Sequence, residues 1–354
     1  MKRRTNIEVL RIFAMLCIIA HHYAGHGGAY FNVQLDSWNL GWATLLISGG
    51  KLGVDLFILI TGYFMCESSF KVMKIVKLEM AVLFYSIGFY VIACFIWHID
   101  TVNYLSFRNA VLPSLTNLGT EYWFVPCYFA VVLVSPFLNK ILETLEQRQL
   151  RKLLLILFLF ISIIPTVLQS VPWYDGNIAL FIFLYFIGAY LKKYPEDFER
   201  GRKIKWFLFG IVLWAILIFL VCFLKINADI FQNFGISADY LFYGNSIFII
   251  MLSVIFMVLF VRIQIKHSVW LNKIAGTTLG IYLIHDNIYA RQYIWENIFH
   301  CSKYYESPRL MLHAGCCILI VFATGAIIEY LRSLLFRPVE NYVESKVKER
   351  LIGK

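Results

Sequence analysis

Four ionisable side chains stand inside the first apolar stretch of this chain: Glu8, Arg11 and the neighbouring pair His21-His22. Such groups are costly at bilayer depth and tend to mark functional positions. Arg11 and His22 are eleven residues apart. On an α-helix that is about 1100°, or three turns and roughly 20° more, with a rise of about 16 Å. The spacing puts both on one helix face. Glu8, three positions before Arg11, can pair with it, while His21 is turned about 100° toward another neighbour. A neutral imidazole suits a general base near neutral pH, and a guanidinium suits an anion or developing negative charge. The plainer alternative is that Arg11 snorkels to the membrane surface and His22 fills a polar contact between helices.

Other polar groups recur along the chain. Lys51 and Asp55 lie four residues apart in a glycine-rich stretch (Gly49, Gly50, Gly53, Gly62) and read as an ion pair or as part of a cavity wall. Lys71, Lys74 and Lys77 come next, either a docking site for a phosphate-bearing donor or ordinary loop charge. Glu121, Trp123 and Tyr128 set an acid among aromatics, fit for an acceptor site or for an interfacial belt. Tyr282, His285 and Asp286 close a late stretch whose small residues, Gly276 to Gly280, favour close helix packing. No CxxC, HExxH, GxGxxG or phosphate loop occurs, and the eight cysteines read as apolar filler; no metal is expected.

The elements that hold these residues are membrane helices. Hydrophobic residues make up 60% of the chain and charged ones 15%, whereas a soluble domain has about half and a quarter. That excess excludes a soluble enzyme, a disordered regulator, a disulfide-rich secreted domain and a coiled coil. Ten apolar segments can be marked, near residues 7–24, 42–65, 75–97, 122–138, 153–170, 177–191, 205–224, 240–261, 271–290 and 310–335. Continuous blocks of about 20 also exclude an alternating-strand barrel. The expected fold is all-α: a polytopic membrane helix bundle of about ten transmembrane helices. It forms a single domain over residues 1–354 with no soluble extracellular domain.

The glycines predict a bent or irregular second segment, tolerable only where protein or a water-filled cavity covers it. With the N-terminus cytoplasmic, 25 of the 32 Lys and Arg fall on the cytoplasmic side. Five lie opposite (Arg108, Lys225, Arg291, Lys303, Arg309), and Arg11 and Lys51 lie within segments. That asymmetry places both termini in the cytoplasm and explains the net charge of +10 without nucleic acid. The first segment is not a cleavable signal, since Glu8 and Arg11 interrupt it and His21-His22-Tyr23 stands where small residues should precede cleavage.

Taken together, these segments resemble the bacterial integral-membrane acyltransferase family called acyltransferase 3, over nearly the whole chain. Arg11 and His22 match the family's basic residue, ten-residue gap and His, with Glu8 before them. Gly53-Val54 and Thr61-Gly62-Tyr63 match its glycine-rich second segment, with Thr61 in place of the usual Ser. Lys71-Val72-Met73-Lys74 stands where the family often has Arg-x-x-Arg, keeping charge but losing the bidentate forks. Trp123-Phe124, Tyr128, Ser135-Pro136-Phe137-Leu138-Asn139 and Thr278 to His285 resemble its fourth and late signatures.

The resemblance implies transfer of an acyl group, usually acetyl, from cytoplasmic acyl-CoA to a hydroxyl of an extracytoplasmic glycan or lipid-linked acceptor. It implies a bacterial plasma-membrane enzyme with His22 catalytic and Arg11 essential. On this reading Glu8 holds Arg11, and Lys71, Lys74 and Lys77 take the phosphates of acetyl-CoA. Lys51, Asp55, Glu121, Trp123, Tyr128, Tyr282, His285 and Asp286 would shape the acceptor site. The competing classes are a polysaccharide or small-molecule transporter, the unrelated membrane-bound O-acyltransferase fold, for which His285 would be the key residue, and a sensor.

Overall fold

The computed structural model describes residues 4–97, 104–113, 122–169, 177–199 and 202–352. Among these residues there are helices and connections but no strand. The principal helices are α1 (Thr5–Gly25), α2 (Asn39–Met65), α3 (Val72–Phe95), α4 (Phe124–Thr144), α5 (Gln147–Leu168), α6 (Ile178–Lys193), α7 (Lys203–Ile226), α8 (Ile247–Arg262), α9 (Thr278–His285) and α10 (Leu310–Ile352). Eight described segments are long and apolar enough to cross a bilayer: α1 to α5, α7, the stretch Ala238–Arg262 that ends in α8, and Leu310–Val347 of α10. The chain is a multi-pass membrane helix bundle. Helix α6, at 16 residues, is shorter than those eight.

Helices α1 and α2 form the centre. Most of α2 is buried, and the outward faces of α7 and α10 carry exposed Leu, Ile and Phe, as a lipid solvent requires. The glycines of α2 do not bend it; it runs unbroken from Asn39 to Met65. They act instead as contact points. A Cβ on Gly53 would overlap the Ala14 carbonyl of α1, and one on Gly50 would overlap the His21 ring. Gly62 of α2 and Gly188 of α6 meet backbone to backbone in the same way. Without a hydrophobic force between helices in lipid, such close approach is the main source of packing energy.

Polar ties fix the two ends of α1. At its start, the near end of the bundle, Thr5 Oγ1 donates to Asn272 Oδ1 (3.2 Å), Asn6 Nδ2 to the Phe260 carbonyl (2.7 Å) and Arg4 to Tyr63 Oη (2.5 Å). At its finish, the far end, Tyr23 Oη and His313 Nδ1 lie 2.8 Å apart, and Tyr305 Oη donates to the Gly27 carbonyl (2.8 Å). Gly28 then turns the chain at φ 79°, a left-handed value that favours glycine.

The ninth apolar segment is not one helix. It is broken into Val269–Ala275, α9 and Ile288–Gln292, with irregular backbone at Gly276-Thr277 and at Asp286-Asn287. The second break is held by Tyr122, whose hydroxyl donates to the Leu283 carbonyl (2.6 Å) and accepts from Asn287 Nδ2 (2.8 Å). Leu283 is in the last turn of α9, where helix carbonyls lack partners of their own, so Tyr122 supplies one.

Helix α10 carries a second surprise. Glu329 and Arg332 are both buried and bonded in bidentate fashion, Nε to Oε2 and Nη2 to Oε1 at 2.7 Å each, with Tyr85 Oη donating to Oε2 at 2.7 Å. The carboxylate lies so close to Gly280 that a Cβ there would overlap it. Arg332, which by sequence counts among the loop charges, is thus an interior residue that helps seat α9.

Candidate active site

One cavity of about 700 Å³ runs along α1. Its walls include Glu8 and Arg11 toward the near end, and His21, His22 and His26 toward the far end. Glu8 to His26 spans 18 residues, about 27 Å of helix rise, comparable to the hydrocarbon thickness of a bilayer. Helix α2 contributes Gly50, Lys51, Val54, Phe57 and Thr61; α3 contributes Lys74 and Leu78. The start of α4 adds Trp123, Phe124 and Tyr128, and the broken ninth segment adds Thr278, Tyr282, Asp286 and Arg291.

The far half of the cavity holds a histidine chain. His285 Nδ1 lies 2.6 Å from the Ile281 carbonyl, which can only accept, so that nitrogen carries the proton. In the neutral ring Nε2 of His285 is then an acceptor, and it lies 2.9 Å from His22 Nδ1. His22 therefore donates from Nδ1 and keeps the lone pair on Nε2. That nitrogen is 3.6 Å from Asp286 Oδ1, and His26 Nε2 is 3.1 Å from the same oxygen. His285 and Asp286 are buried, with relative exposures of 1% and 3%. The set is assembled by three local devices: His22 and His26 one turn apart at the C-terminal end of α1, the left-handed turn at Gly28 just beyond them, and the break after α9 stapled by Tyr122.

The near half is differently built. Arg11 Nε lies 3.8 Å from Glu8 Oε2, and this buried nitrogen makes no hydrogen bond among the described residues. Lys74 lines the wall at the start of α3. Between the halves, the Lys51 ammonium sits 3.9 Å from the centre of the Trp123 ring, a cation–π contact. Phe124 and Tyr128 stack at 5.3 Å beside it.

Of the residues singled out from sequence, Glu8, Arg11, His22, Lys51, Lys74, Trp123, Tyr128, Tyr282 and Asp286 share this cavity, and His285 is bonded to His22. The others fall elsewhere. Lys77 is 3.7 Å from Glu340 and 3.2 Å from Glu344 of α10. Lys71 caps the start of α3 outside the lining. Asp55 is buried on another side of α2, where Ser253 Oγ of α8 donates to it at 3.5 Å. Glu121 lies outside the described residues. His26 and Arg291 line the cavity although sequence reasoning does not single them out. A His at i+4 from His22 is a readable signal; Arg291 is hidden among loop charges.

The fold and the site define a polytopic membrane helix bundle with a polar, titratable cavity between its helices. The chain belongs to the acyltransferase 3 family: the family model described as an acyltransferase domain, Acyl_transf_3, matches residues 4–330. It is a membrane acyltransferase. No curated protein and no solved structure matches it.

Proposed function

We propose that this enzyme moves an acetyl group from acyl-CoA, entering at the near end, to a hydroxyl of an extracytoplasmic glycan or lipid-linked acceptor at the far end. The observation that carries the reading is one cavity joining Lys74 and Arg11 to His22, the last two about 16 Å of helix rise apart. The excess of Lys and Arg on the loops at the near end supports a cytoplasmic near face, and hence residence in a bacterial plasma membrane.

Distance divides the labour. Arg11 is about 16 Å of helix rise from His22, beyond the reach of one guanidinium. It cannot steady an oxyanion formed beside His22. Arg11, held by Glu8, is placed to grip the donor, and Lys74 to meet its phosphates, by charge-assisted bonds. His22 Nε2 takes the proton of the acceptor hydroxyl as that oxygen attacks the thioester carbonyl. The carbon–oxygen bond forms, the carbon–sulfur bond breaks, and the proton passes to the leaving thiolate. Lys51 and the aromatic wall of Trp123 and Tyr128 suit the acceptor, since a sugar offers an apolar face and hydroxyls.

The test is donor-dependent label transfer. Purified protein in vesicles, given labelled acetyl-CoA on one side and an envelope glycan fraction on the other, should acetylate the glycan. Absence of label from any acyl-CoA, with folded protein, would sink the proposal.

A further inference from the structure

Asp286 is buried, and the groups within ion-pair distance of it among the described residues are imidazoles alone. An ionised carboxyl at that depth needs a compensating cation, which a protonated histidine or a bound ion can supply. We infer that His22, His26 and Asp286 form a binding site for a divalent metal ion of the zinc class. The presence of the ion is independent of the acyl-transfer reading; only its role rests on that reading.

The donor geometry favours the ion. His22 of α1 and His26, the residue that caps its C-terminal end, stand i,i+4, the spacing by which a helical turn offers two imidazoles to one metal. Asp286 reaches them from the broken end of α9. Asp286 Oδ1 is 3.6 Å from His22 Nε2 and 3.1 Å from His26 Nε2, and all three donor atoms lie within 4.8 Å of one another. Ligands held tetrahedrally at about 2.0–2.1 Å lie about 3.3–3.4 Å apart, so two of the three edges are within about 0.3 Å of that length. His285 supplies the outer support: by accepting from His22 Nδ1 it leaves the Nε2 lone pair for the metal, as the second partner of a metal-bound imidazole usually does. Three protein ligands leave a fourth position facing the cavity, the pattern of catalytic rather than structural zinc.

Within the proposed transfer, an ion held by His22 Nε2 would take that nitrogen out of the base role, and the proton of the metal-acidified hydroxyl would pass directly to the leaving thiolate. The acceptor hydroxyl, bound at the fourth position, would lose its proton more readily there than in water. The carbon–oxygen bond still forms, the carbon–sulfur bond still breaks, and the proton still ends on the thiolate.

Metal content decides the matter. Protein purified without chelators should carry zinc stoichiometrically by mass spectrometry. Cobalt loaded into stripped wild-type protein should give the visible bands of a low-coordinate site, a readout that needs no variant. Asp286→Asn and His26→Ala should lower occupancy at least tenfold, and His285→Gln by about tenfold through the lost support. Wild-type protein that binds neither zinc nor cobalt overturns the inference and leaves acyl transfer standing; full-rate label transfer by stripped protein removes the ion's role in the transfer. Stoichiometric metal in protein that transfers no label keeps the site and removes the acyl-transfer reading.

Discussion

Two of the buried polar clusters among the described residues are built on opposite principles. Around Glu329, a bidentate guanidinium and a tyrosine hydroxyl close over the carboxylate within 2.7 Å, and a glycine backbone covers it. Around Asp286, the charged partners are imidazoles at 3.1 and 3.6 Å, and a cavity opens beside them. A buried charge is stable when its partners are close and complete, and costly when they are not. The first cluster has the geometry of a fastener. The second has partners that are too few and too distant, and open space where a ligand fits. Incomplete satisfaction next to a cavity, rather than burial of charge as such, separates the working site from the structural one.

The sharpest way to break this comparison is to remove one member of each cluster. His22→Ala should lower donor-dependent acyl transfer by a factor on the order of 10²–10⁴, the usual contribution of a positioned acid–base group, while thermal unfolding in detergent shifts little. Retained turnover in His22→Ala would place the chemistry elsewhere. Arg332→Ala should do the reverse. It strands Glu329 in the interior and should cost about 3–5 kcal/mol of stability, seen as a lower melting temperature and yield. The folded fraction should keep its turnover. Glu329→Gln combined with Arg332→Met should recover much of the loss, because removing both charges leaves no uncompensated one.

A third prediction separates the lysines that sequence could not distinguish. Lys74 lines the cavity, whereas Lys77 is engaged with Glu340 and Glu344. Lys74→Ala should raise the KM for acyl-CoA by about tenfold, the value of one charge-assisted bond to phosphate. Lys77→Ala should leave that KM within about twofold, since an exposed ion pair contributes little. Equal effects from both would move the donor site off the cavity wall.

These contrasts also show what a sequence discloses. Hydropathy marks helices because lipid imposes continuous apolar runs, and the eleven-residue interval from Arg11 to His22 survives as one cavity wall because α1 is a regular helix. The break after His285 is not legible. Residues 271–290 read as one apolar segment despite Asn272, Lys273, His285, Asp286 and Asn287, and the irregular backbone at Asp286 depends on Tyr122, about 160 residues earlier in the chain, to satisfy Leu283. The same limit hides the Glu329–Arg332 pair, for a basic residue near a helix end reads as loop charge until the neighbouring helices are placed. The glycines of α2 mislead for a related reason: composition gives flexibility, but only packing shows that Gly50 and Gly53 make room for α1. Local periodicity is written in the chain, whereas partners drawn from distant segments are not.

A last cluster extends the comparison to the water-facing surface. Beyond the end of α6, Asp197 accepts from Tyr190 Oη and from Arg151 Nη2, the latter at 2.8 Å, with side chains well exposed at Arg151 and Asp197. The bond from Tyr190, helped by Arg151, holds the Asp197 carboxyl below its ordinary value. A carboxyl depressed on folding stabilises the folded state above its unfolded pKa, and that contribution fades as pH falls through the folded value. Protonation should therefore loosen this contact only at acid pH. Because water screens Arg151 and Asp197, the effect should be the smallest of the four. In a melting series from neutral to acid pH, Asp197→Asn should match wild type at the acid end and fall slightly below it at neutral pH. A large neutral-pH loss would show that completeness of partners outweighs exposure to water at this contact.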